Sequence, residues 1–111
     1  MGENYQVYRA AANAAKGIRQ FQKADKEIDR DKVDSAVRHF DKGLNFFATA
    51  LEHVEKAADD AYDSAGADIS KGNDELQKCI DAYGNGNVDS AAKHYDKALK
   101  HYDDALDTLD A

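Results

Sequence analysis

The sequence contains no proline and no tryptophan, and only one cysteine and one methionine among 111 residues. Each scarcity excludes something. One cysteine cannot form an internal disulfide, so the staple of small proteins from oxidising compartments is absent. Neither proline nor glycine enforces a turn at Ala58-Asp59-Asp60-Ala61. No apolar run approaches the ~18 residues that a transmembrane helix needs. The opening residues, MGENYQVYRA, lack the basic-then-apolar plan of a secretory signal, so a cytoplasmic location and no membrane contact are expected. Positive charge is also in deficit, with 15 basic against 22 acidic side chains and a formal net charge of −7. That balance argues against nucleic acid as partner, because no phosphate-neutralising patch is expected.

What the chain has instead is a repeat. Shifted by 55 residues without a gap, Lys16-Gly17 falls on Lys71-Gly72, and Val33-Asp34-Ser35-Ala36 falls on Val88-Asp89-Ser90-Ala91. His39 meets His94, Leu44 meets Leu99, and Ala50-Leu51 meets Ala105-Leu106. One domain over residues 1–111 follows, built of two copies of one unit, about 5–58 and about 60–111.

Each unit reads as two helices. From Val33 onward, Val37, Phe40, Leu44, Phe47, Leu51, Val54 and Ala58 follow in alternating steps of four and three, a heptad seam. The same spacing recurs in the other segments and predicts helices near 5–28, 32–58, 62–83 and 87–109, each about 35 Å long. Asp31 is a candidate cap for the second helix. In Gly84-Asn85-Gly86 glycine supplies a left-handed stop, and Gly86 or Asn87 the next cap. Between the second and third helices only a change of seam phase from Ala58 to Tyr62 argues for a turn. Short links make neighbours antiparallel, so the fold class is all-α: an up-down-up-down four-helix bundle of two tandem hairpins.

With Phe40 placed at d and Leu44 at a, every g position is small, including Gly17, Gly43, Gly72, Ala24, Ala50 and Cys79. Glycine in a helix costs about 1 kcal/mol against alanine, so its recurrence there suggests close backbone contact. The e flank is polar, which predicts a rectangular bundle with tight g sides and loose e sides. Residue-number sums across antiparallel pairs then pair Asp41 and Asp96 with Gln22 and Gln77. Asp25 and Asn73 fall on the seam itself as polar core residues, and Cys79 reads as a buried small hydrophobe.

Chemistry is sparse. His39, His53, His94 and His101 all occupy c, which this register turns toward solvent. A metal site on one helix needs ligands three or four residues apart, and only His101 has one, Asp104. His101, Asp104, His94 and His39 are therefore weak metal candidates, and no metal or other cofactor is expected. No nucleophile–base pair or phosphate loop shares a cleft, so no enzyme is expected. Phe46, with His39 and His53 beside it on the same face, is a candidate partner contact. Gly86–Leu99 resembles the second helix of a tetratricopeptide repeat over about 14 residues, but the 55-residue period departs from that family's 34. The expectation is a small non-enzymatic bundle acting through protein contacts or self-association. The alternative is a metal-binding or buffering protein using surface His and Asp. A third reading is a small-molecule carrier with a pocket near Asn73 or Gly66.

Overall fold

The computed structural model describes residues 2–110, with side-chain burial from Tyr5 onward. Four helices carry the fold: α1 (Gly2–Asp29), α2 (Val33–Ala57), α3 (Asp63–Gly84) and α4 (Val88–Asp110). They form two hairpins, α1 with α2 and α3 with α4, each closely packed. The molecule measures 45 × 18 × 18 Å, so the helices lie along its long axis two by two.

The hairpin turns are one device used twice. In the first, the Lys32 N–H donates to Glu27 O (2.8 Å) and the Asp31 N–H to Ile28 O (3.0 Å). In the second, the Asn87 N–H donates to Ala82 O (2.8 Å) and the Gly86 N–H to Tyr83 O (3.1 Å). Both are Schellman closures of the preceding helix, 55 residues apart. Their pivots are left-handed, Gly86 at φ 74° and Asp31 at φ 60°. Asp31 therefore ends α1 and does not cap α2, whose N-cap is Lys32 without a side-chain bond. Asn87 does cap α4, its Oδ1 accepting from the Ser90 N–H. The link between α2 and α3 is a real break: Ala58 turns left-handed, and a single 3₁₀ turn, Asp60–Tyr62, follows with Asp59 as its cap.

The heptad register is right in spacing but rotated in space. From Tyr5 onward, every described g residue within the helices is buried and every e residue exposed, while most a residues are only half-buried. The buried arc is centred between d and g, about 60° away from the a–d seam at 100° per residue. Glycine is the reason. A Cβ on Gly17 would lie 2.6 Å from the Phe47 ring and 3.1 Å from the Gly43 carbonyl oxygen. One on Gly43 would overlap the Phe21 ring and sit 3.0 Å from the Gly17 carbonyl oxygen. These two glycines let α1 and α2 close until g is sealed. In the second hairpin Gly72 gives the same clearance to Tyr102.

The rotation has two further consequences. Asp25, expected in the core, is exposed. The e row faces water, so the expected Asp–Gln pairs are not made: the Gln77 amide donates to Asp81 on its own helix (3.1 Å). Among the described residues no bond joins Asp41 or Asp96 to Gln22 or Gln77. The core is aromatic, with Phe21, Phe40, Phe47 and Tyr102 fully enclosed and Tyr83 and Tyr95 packed against Phe40 at 5.7 and 5.2 Å between centroids.

Candidate functional site

Rotation of the helices pulls the c positions out of the solvent. All four histidines are half-buried rather than solvated, because c lies beside g on the outer edge of each tight hairpin seam. Three of them reach across the seam to a c residue of the opposite helix. The His39 Nδ1–H donates to Glu27, His94 Nδ1–H to Glu75 (2.7 Å), and His53 Nδ1–H to the Gln6 amide oxygen (2.7 Å). Glu27 also accepts from the Ser35 hydroxyl. That hydroxyl first, and then His39 and Lys32, hold its carboxyl below the ordinary glutamate range. Glu75 is held down by the His94 bond and by Lys78 and Lys97.

Glu27, Glu75 and Gln6 are partners that reading one helix at a time cannot find. The signal was available across the hairpin, because all three occupy c.

These pairs do not make a metal centre. His39 and His94 sit in different hairpins, each with a single carboxylate. His101 is half-buried and Asp104, three residues on, is exposed. Among the described residues no three His, Cys, Asp or Glu side chains gather in a metal-binding group. Cys79 is fully buried, and burial pushes its thiol up to about 12, which leaves it unreactive. Asn73 accepts a hydrogen bond from the Tyr102 hydroxyl (2.7 Å), so the seam's polar residue is satisfied. Beside Gly66 an open cleft of about 320 Å³ has Leu51 and Val54 along it, with Glu55, Asp59 and Asp63 around it.

Charge is the feature that composition concealed. Residues 1–58 hold ten basic and nine acidic side chains, a net +1; residues 59–111 hold five and thirteen, a net −8. Within the first hairpin the signs are sorted by face. The f row beside c carries Arg9, Lys16 and Lys23 on α1, Arg30 just past its end, and Lys42 and Lys56 on α2, all exposed. Glu27 is the only carboxylate in the c and f rows of α1 and α2. The overall deficit of bases therefore coexists with a basic outer face, contrary to the expectation that no such patch exists.

At the middle of this face lies Phe46, half-buried, in a shallow groove of about 450 Å³ with Gln20, Lys42, Asn45 and Thr49. The Lys16 ammonium stands 6.0 Å from its ring centroid, at the outer limit of a cation–π contact. The structure thus brings Phe46, His39 and His53 onto one face, with the two histidines fixed by α1.

No protein-family model, no curated protein and no solved structure matches this chain. Among the described residues no helix is long and apolar enough to cross a membrane.

Proposed function

We propose that the protein is a non-enzymatic binding module that acts through protein contacts made by the outer face of its first hairpin. One observation carries this reading: a half-exposed aromatic side chain sits in a groove inside a face that has bases on both edges and one carboxylate, already engaged. An apolar anchor surrounded by oriented charge is the make-up of a protein-recognition surface, in which the aromatic group supplies affinity and the charges supply approach and orientation. His39 and His53 support the face by tying α2 to α1 on either side of Phe46.

The test uses the inertness of Cys79. Thr49→Cys places a single reactive thiol in the groove, and Ser64→Cys places one on the exposed surface of α3. Each is loaded with a short photo-crosslinker and irradiated in an extract of the source cells. The reading expects discrete protein adducts from the Thr49 site that vanish when Phe46→Ala is added, and none from the Ser64 site. Equal labelling from both sites, or none from either, overturns it.

A further inference from the structure

The occupant of the basic face can be read from the rest of the molecule, given the reading just proposed. The e and b rows of α2 and α3 share the next face of the bundle, at a right angle to the basic one along α2. That face is the inverse of the first. It presents Asp34, Asp41, Glu52 and Glu55 from α2 and Asp74 and Asp81 from α3, all exposed. Arg38 is the only base in those rows.

Both faces run the length of the same 45 Å bundle. Their charges also have matching spacing. Arg9, Lys16, Lys23 and Arg30 are seven residues apart, about 10 Å per step along the axis. Asp34 and Asp41, and Asp74 and Asp81, are also seven apart. A nucleic-acid strand places a charge every 3.4 Å or so, about three times as densely, and would also meet the field of a chain of net charge −7. A helical surface with carboxylates one heptad apart fits the basic row, and this chain carries such a surface.

We infer that the α1–α2 face of one molecule docks on the α2–α3 face of a second copy, with Phe46 at the centre of the contact. The contact is heterologous, since different surfaces of the two copies meet, and it leaves one basic and one acidic face free at the ends. Copies therefore add head to tail. Two adjacent faces of a square cross-section meet at a quarter turn, so parallel copies close into a ring of four. The charged contacts lie at the edges and are screened by salt, so assembly is strongest at low ionic strength.

Sedimentation velocity of the purified full chain at about 20 mM and 500 mM salt tests this, with two charge reversals. The first, Lys16→Glu with Lys23→Glu, inverts the basic row; the second, Asp34→Lys with Asp41→Lys, inverts the acidic one. Circular dichroism and melting establish that each remains folded, since all four positions are exposed.

The inference expects the native chain to assemble beyond the dimer at low salt and to return to monomer at high salt. Each reversed variant alone should remain monomeric. The two mixed should assemble again, because the native faces of the two variants fit each other and their reversed faces are again opposite in charge. A native chain that is monomeric at low salt at hundredfold excess over its working concentration overturns the inference. So does binding of a single-stranded oligonucleotide through Lys16 and Lys23 without self-association. Monomers that still give Thr49 adducts to another protein defeat the self-contact and leave the protein-contact reading standing. Monomers that give no adducts defeat both.

Discussion

Phe47 and Tyr102, equivalent residues 55 positions apart, lie face to face at the centre of the bundle, 3.7 Å between ring centroids and 16° from parallel. The repeat is thus a spatial symmetry as well as a sequence one: the two copies meet through the same d position. The exchange of Phe for Tyr is matched on the opposite helix of each hairpin. Ile18 in the first unit is replaced by Asn73 in the second, and Asn73 accepts the bond of the hydroxyl that Tyr102 has gained.

The pair should therefore behave as one unit. Tyr102→Phe alone costs the net value of a hydrogen bond, about 0.5–1.5 kcal/mol. Asn73→Ile alone leaves the enclosed hydroxyl unpaired and costs about 1–3 kcal/mol. The double change restores the first unit's solution and should lie within about 1 kcal/mol of the native chain. A denaturant double-mutant cycle reads this coupling, and strict additivity would exclude it.

Two glycines should respond oppositely to the same substitution. Gly43→Ala drives a methyl into the Phe21 ring and toward the Gly17 carbonyl, an overpacking worth about 1–3 kcal/mol that outweighs better helix propensity. Gly66→Ala meets only Val54 at 3.5 Å and Leu51 at 3.7 Å, ordinary contact distances, and should gain about 0.5–1 kcal/mol. Thermal melts of the two variants check the difference in sign.

The first hairpin turn holds Asp31 where the second holds Gly86. A left-handed residue with a Cβ costs about 1 kcal/mol over glycine, so Asp31→Gly should stabilise the protein by about that amount. Gly86→Ala should destabilise it comparably. Equilibrium unfolding of both variants is the measurement, and a loss of stability in Asp31→Gly would mean that the carboxylate has a partner outside the turn.

Acid should weaken the hairpin seams through Glu27 and Glu75. Both carboxyls titrate below their ordinary value because the folded seam bonds the ionised form. Such a group contributes its full stability above the unfolded glutamate pKa of about 4.3. That contribution is lost as pH falls through the lower folded value. The double variant Glu27→Gln, Glu75→Gln should be less stable than the native chain at pH 6, and the difference should shrink by pH 3. Denaturant midpoints across that range measure it.

The helices, their number and their order were legible because each depends on local spacing. A step of four and three over 25 residues allows only an amphipathic helix, and the gapless 55-residue shift requires two like hairpins. The stripe of small g residues was legible for the same reason. The sequence also located the face around Phe46, since His39, Phe46 and His53 share one heptad position. It did not show what that face contains. Glu27, Gln6 and the basic f row belong to α1 as well as α2, and only the juxtaposition of the two helices joins them.

By itself, then, the sequence determined period, helix length, hairpin order and which residues share a stripe. The tertiary structure alone decided how each helix is rotated about its axis. Gly17 and Gly43 allow the backbones of α1 and α2 to approach until side chains at d and g, rather than a and d, fill the interior. That rotation of about 60° turned the e carboxylates out to water and drew the c histidines in against Glu27, Gln6 and Glu75. A heptad pattern cannot fix it, because which of two flanks closes depends on how far both backbones can advance, and that is a property of the pair.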